Sequence, residues 1–103
     1  MSERTEVQAP ILDYCAKSGI FVERRNVAGA QKLHGHWVKL GTKGQSDLWG
    51  ILRNGRHFEC EVKAKGEEPT GEQLEWLRKC AAAGALAFWC DSLEDFIEVM
   101  EGR

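Results

Sequence analysis

Apolar residues recur at Val7, Ile11, Tyr14 and Cys15, the spacing of one helical face, and Gly19 follows as a natural stop. Thr5 and Gln8 stand at capping-box spacing within this stretch. Pro10 cannot donate to the Glu6 carbonyl and crowds it, which predicts a kink or a late helix start near Glu6. Residues 20–25 read as a strand, and residues 26–36, rich in Gly and His, read as a loop. Two strand-like runs, 47–53 and 56–63, flank Asn54-Gly55, the dipeptide of a type I′ hairpin turn. Thr70 and Gln73 then form a second capping-box pair, opening a helix with Leu74, Leu77 and Ala81 on one face until Gly84. Residues 85–90 are almost uninterruptedly apolar, as in a strand buried on both faces. Ser92 caps a last, acidic helix with Leu93, Phe96, Ile97 and Met100 inward. The predicted order is αβββαβα. A hairpin followed by a crossover helix into another strand implies an α/β fold, with a mixed sheet flanked by helices.

A chain of 103 residues makes one domain, 1–103, able to bury roughly two-thirds of its unfolded surface. With 43% apolar and 29% charged residues and two prolines, it falls outside the disordered classes. Cys15, Cys60, Cys80 and Cys90 form no CxxC pair, which argues against structural zinc. No apolar run approaches the roughly 20 residues of a membrane span, and the first six residues hold no signal core. The chain therefore reads as cytoplasmic, with reduced thiols and no membrane partner. The net charge of −2 conceals an asymmetry: residues 1–65 carry eleven basic against seven acidic side chains, residues 66–103 three against nine. Lys17, Arg24, Arg25, Lys32, Lys39 and Lys43 face a single acid, Glu23, over one stretch. That stretch suits a polyanion such as DNA, or equally a solvated surface.

Along the second hairpin strand, Glu59, Glu61 and Lys63 share one face, opposite Phe58, Cys60 and Val62. Solvent exposure or cross-strand pairing would explain three charges there. A chemical explanation is that Asp47, Glu61 and the Val62 carbonyl offer hard oxygen ligands to a divalent cation such as Mg²⁺ or Mn²⁺. Lys63 then orients an attacking water or stabilises a developing anion, which is hydrolytic nuclease chemistry. Glu-x-Lys alone decides nothing, because this composition yields about one such tripeptide by chance. The hairpin gives it context, since Asp47 opens one arm and Glu61 lies on the returning arm.

The motifs Gly44-x-Ser46-Asp47-Leu48, Phe58-Glu59-Cys60-Glu61-Val62-Lys63-Ala64, Gln73-x-x-Trp76-Leu77, and Gly84 before an apolar strand occur in this order. Together they resemble the VRR-NUC (virus-type replication-repair nuclease) group of the PD-(D/E)XK nuclease superfamily, over nearly the whole chain. The likeness implies a restriction-endonuclease-like sheet and a metal-dependent endonuclease. It also implies metal ligation by Asp47, Glu61 and Val62, with Glu6 joining directly or through water. Lys63 would be the catalytic lysine, and Gln73 would support the site from its helix. Arg25-Asn26 and Gly29 follow the first strand as in that family. Ser46 stands where the superfamily carries proline, which puts the stiffness of the turn in question but not the ligand. Single-domain members resemble Holliday junction resolvases, so branched DNA, a homodimer and a viral source are further implications.

Ordinary readings stand beside these. The capping box accounts for Gln73 without catalysis, and a first-turn acid such as Glu6 suits a helix dipole. His34 and His36 read as surface or phosphate contacts rather than ligands. Trp76 and Trp89 read as core residues, while Trp37 and Trp49 suit base stacking, a subunit contact or simple burial. Arg24, Arg25, Lys32 and Lys43 are the expected DNA contacts. The rival functions are a nucleic-acid-binding module that has lost its metal chemistry, and a protein-interaction domain using the acidic last helix.

Overall fold

The computed structural model describes residues 3–25, 29–40 and 43–102, without the side chains of residues 3, 29–33 and 37–40. The first helix, α1 (Glu3–Ser18), runs through Pro10 and starts earlier than predicted. Thr5 lies inside α1 rather than ahead of it, so the predicted Thr5–Gln8 capping box is not its start. The helix closes where expected, with the Ile20 N–H donating to the Cys15 carbonyl across Gly19 (2.9 Å). Strand β1 (Phe21–Arg24) follows.

The stretch read as a loop instead forms most of a hairpin, β2 (Gly29–Leu33) with β3 (His36–Leu40), as a separate two-stranded sheet. His34 and Gly35 both have positive φ, 50° and 81°, the two-residue geometry of a type I′ turn. The predicted I′ turn at Asn54-Gly55 is something else. Strands β4 (Leu48–Ile51) and β5 (His57–Val62) are joined through Arg53, Asn54 and Gly55, and Gly55 alone of the three has positive φ. The Gly55 N–H donates to the Leu52 carbonyl and the Leu52 N–H to the Arg56 carbonyl, both at 2.8 Å. This is the three-residue loop with a glycine bulge.

After α2 (Gly71–Ala82), strand β6 (Leu86–Cys90) returns parallel to β5, and α3 (Leu93–Gly102) ends the chain. The described elements therefore run αβββββαβα, and the main sheet has the order β1-β4-β5-β6 with antiparallel pairs except β5-β6. This is a mixed four-stranded sheet with three helices. No helix among the described residues is long and apolar enough to cross a membrane.

One face of the sheet, with Leu48, Phe58, Cys60, Val62 and Cys90, packs against Ile11 and Cys15 of α1 and Phe96 and Met100 of α3. Phe96 is its hub, meeting Tyr14, Phe58 and Phe88 at ring separations of 5.8–6.5 Å. Each large side chain so buried contributes about 1.5–3 kcal/mol. Gly50 leaves no room on this face: a methyl there would lie 2.1 Å from the Phe21 carbonyl oxygen and 2.3 Å from the Phe58 ring. Gly50→Ala is expected to cost about 3 kcal/mol or more, read as a lower midpoint in urea unfolding.

The opposite face carries Glu59 and Glu61, and α2 covers it over β5 and β6. Solvent exposure therefore does not explain these acids, each 1% exposed. The α2 stripe toward the sheet is Gln73, Trp76, Leu77 and Cys80, whereas Leu74 is 48% exposed and Ala81 lies outside. A hydrophobic count favours Leu74 over Gln73; the polar floor beneath α2 reverses that choice. Strand β6 has α2 over one face and Phe88 against Phe96 of α3 on the other, yet its side chains before Cys90 are at most partly buried, and Trp89 is 37% exposed rather than core.

Candidate functional site

The β4–β5 register pairs Leu48 with Cys60. Extended by one residue it sets Asp47 opposite Glu61, on the face covered by α2. Asp47 is anchored at three points. Its carbonyl accepts from the Arg25 N–H (2.7 Å), its Oδ2 accepts from the Val62 N–H (3.1 Å), and its Oδ1 lies 3.5 Å from the exposed Arg4 guanidinium. Glu61 is less well provided. Its Oε1 accepts from Gln73 Nε2 (3.1 Å), but its Oε2 is buried without a hydrogen-bond partner among the described residues.

The electrostatics follow from this placement. Burial, then the adjacent Asp47 carboxylate, push the Glu61 carboxyl up from 4.5 to about 8, against the opposing pull of Lys63 and Arg4. Two acids pressed together out of water favour one shared proton. A divalent cation would serve the same pair better, because it answers both charges and gives Oε2 a partner.

Gln73 forms the predicted capping box and also contacts both Glu61 and Lys63. Its carbonyl accepts from the Thr70 N–H (2.9 Å) while its own N–H donates to Thr70 Oγ1 (3.2 Å), completing the capping box that starts α2. The other end of the same amide holds Glu61, and the Lys63 ammonium approaches the Gln73 carbonyl at 3.5 Å. The helix cap thus places an amide between Glu61 and Lys63. Gly44 (φ +87°) brings the preceding loop against this helix start: a Cβ there would lie 2.6 Å from the Glu72 carbonyl oxygen.

Glu6 is exposed and lines a cavity of about 680 Å³ with Val7, Pro10, Lys65, Asp91, Ser92, Leu93 and Glu94. Glu6, expected to join the metal directly or through water, does not group with Asp47 and Glu61. Helical geometry explains why, since two residues along α1 turn the side chain by about 200°, and Arg4 is the residue that reaches Asp47. Among the described residues no three His, Cys, Asp or Glu side chains group closely enough to hold an ion. The acids brought together are the carboxylates of Asp47 and Glu61. Arg4 had no sequence signal beyond its charge.

Beside the pair lies a second buried acid. Glu59 accepts from Arg25 through both oxygens (2.7 and 3.1 Å), from the Ser46 hydroxyl, from Trp76 Nε1 (2.9 Å) and from His57 Nε2. Burial alone would raise its carboxyl, but the hydrogen bonds from Arg25, Ser46, Trp76 and His57 hold it at about 2. The Arg25 guanidinium, expected as a DNA contact, is instead engaged by Glu59 and lies over the Trp76 ring at 5.6 Å. Trp76 is partly buried over this polar floor rather than in an apolar core.

Arg24 is exposed, and Lys43 is exposed beside Glu72 (3.5 Å). Lys32 lies on β2 and Trp37 on β3, with side chains outside the described atoms, and Asn26 falls outside the described residues. His34 and His36 are exposed at the β2–β3 turn. Trp49 is partly buried, stacked on His57 (5.7 Å) and tilted against Phe21, which is itself 51% exposed. No family model matches the chain, and neither a curated protein nor a solved structure does.

Proposed function

We propose that this chain is a divalent-metal-dependent endodeoxyribonuclease of restriction-endonuclease-like fold. The observation that carries the reading is the Asp47–Glu61 pair, in which the buried Glu61 Oε2 has no hydrogen-bond partner among the described residues, with Lys63 immediately after the strand that bears Glu61. Asp47, Glu61 and the Val62 carbonyl would hold Mg²⁺ or Mn²⁺, with Glu6 contributing at most through water. Such an ion supplies an activated water and neutralises phosphodiester charge.

The chain's own groups supply the remainder. To hold the cation Glu61 would lose its proton to solvent, which would tie metal affinity to pH. Lys63, 3.5 Å from the Gln73 side-chain carbonyl, would orient the attacking water or stabilise the developing anion. Arg24, Lys43 and the Lys32 position supply sequence-independent phosphate attraction, so binding should weaken steeply with salt. Branched DNA as substrate and a homodimer as the working unit follow from the VRR-NUC likeness. Two incisions across a junction need two sites related by a two-fold axis.

Incubation with a labelled four-way junction, a flap and a linear duplex in Mg²⁺, Mn²⁺ or EDTA tests the reading. Lys63→Met and Asp47→Asn are expected to lower cleavage about 100- to 1,000-fold while leaving DNA binding in EDTA close to that of the unsubstituted protein. Salt-sensitive binding without cleavage in either metal would instead support a non-catalytic nucleic-acid-binding module. The Arg4–Asp47 contact and the lack of a third grouped acid among the described residues favour that second reading.

A further inference from the structure

The carboxylate of Asp47 stands at the mouth of β4, and its position depends on the turn before it. Ser46, the preceding residue, is fully buried. Arg25 grips both residues from beyond the end of β1. Its backbone N–H donates to the Asp47 carbonyl (2.7 Å), and its Nη1 donates to the Ser46 carbonyl (3.1 Å) and lies 3.3 Å from the Ser46 hydroxyl oxygen. Glu59 anchors that guanidinium through two oxygens and also accepts the Ser46 hydroxyl. Since Glu59 lies two residues before Glu61 on β5, the circuit ties the strand bearing one acid to the turn bearing the other. None of its side-chain bonds touches either carboxylate of the pair.

We infer that Arg25, Glu59 and Ser46 are positioning residues of the divalent-cation site, fixing Asp47 opposite Glu61 before an ion arrives. The inference rests on reading Asp47 and Glu61 as that site. Its physical basis is preorganisation. Acids without such ties are free to stand apart in the ion-free state, and ligands that must be regrouped bind more weakly than ligands already in place. Charge-assisted, bidentate bonds inside a covered face are the strongest side-chain ties available for this purpose. They also replace the conformational restraint that a proline at position 46 would impose.

Calorimetric titration of Mn²⁺ into the full chain tests the inference, at a temperature where circular dichroism shows every variant folded. The variants are Ser46→Ala and Arg25→Lys. Phe96→Leu, on the opposite face of the sheet, serves as a control that lowers stability without touching the circuit. The Mn²⁺ affinity of Ser46→Ala and Arg25→Lys is expected to fall about 10- to 100-fold, and that of Phe96→Leu to stay unchanged. Cleavage by the first two should recover as Mn²⁺ is raised. Affinities equal to that of the unsubstituted protein would overturn the inference and leave the circuit a fold element only. An unsubstituted protein that binds no Mn²⁺ would overturn the cation site itself, and the inference with it. Should Arg25→Lys fail to fold, Ser46→Ala decides, since it removes a single hydroxyl.

Discussion

In EDTA, the protein loses stability as pH rises from about 5 to about 8, and Glu61→Gln abolishes that loss. The sign follows from the Glu61 carboxyl, which holds its proton up to about 8 in the folded chain against an ordinary value of 4.5. A group whose folded value is raised contributes fully below its unfolded value, and that contribution disappears as pH climbs through the folded one. The decline across this window is on the order of 4 kcal/mol, a large part of the roughly 5–15 kcal/mol that holds a domain together. Glu59 acts with the opposite sign, but its value of about 2 confines its effect to acid below the ordinary carboxylate range. Urea midpoints at several pH values would record the slope for both proteins. At pH 8 without metal, Glu61→Gln should be the more stable of the two, because it removes a buried charge facing Asp47. Mn²⁺ at about 100 times its dissociation constant should then raise the unsubstituted protein by about 2.7 kcal/mol and leave the variant unmoved. A flat metal-free profile for the unsubstituted protein would sink the claim that the two acids repel each other.

Glu59→Ala is expected to cost about 3–5 kcal/mol and to leave much of the protein insoluble. The reason is the partner left behind, since Arg25 is mostly enclosed by Trp76, Ser46 and the sheet, and would keep a charge with no carboxylate to answer it. Removing both partners is a different matter. Glu59→Leu combined with Arg25→Met should recover much of the loss, because a well-packed apolar pair can replace a buried ion pair at little net cost. Unfolding of both single variants and the double variant completes the cycle. Single and double losses that simply add would show that the two residues do not act as a pair.

Local signals succeeded where the chemistry was local. The Thr70–Gln73 box and the Ser92 cap rest on residues three apart, and both are formed. The β4–β5 hairpin was legible from alternation, and its register is what sets Asp47 opposite Glu61. Other features depended on what packs against what. Nothing in a β5 pattern of three alternating charges says whether water or a helix lies above it, so the burial of Glu59 and the capture of Arg25 needed the position of α2. The β2–β3 hairpin escaped because its turn is His34-Gly35, a dipeptide without the usual asparagine. Glu6 was displaced by helix phase: an α1 that runs unbroken through Pro10 presents Arg4 to Asp47.

The seating of Gly44 on the Glu72 carbonyl carries a mechanical consequence. With no side chain to hold them apart, the approach to Asp47 and the first turn that carries Gln73 are seated on each other like two halves of a hinge pinned shut. A disturbance at either acid is then felt at the other's support, so the site should loosen or tighten as a unit rather than one ligand at a time.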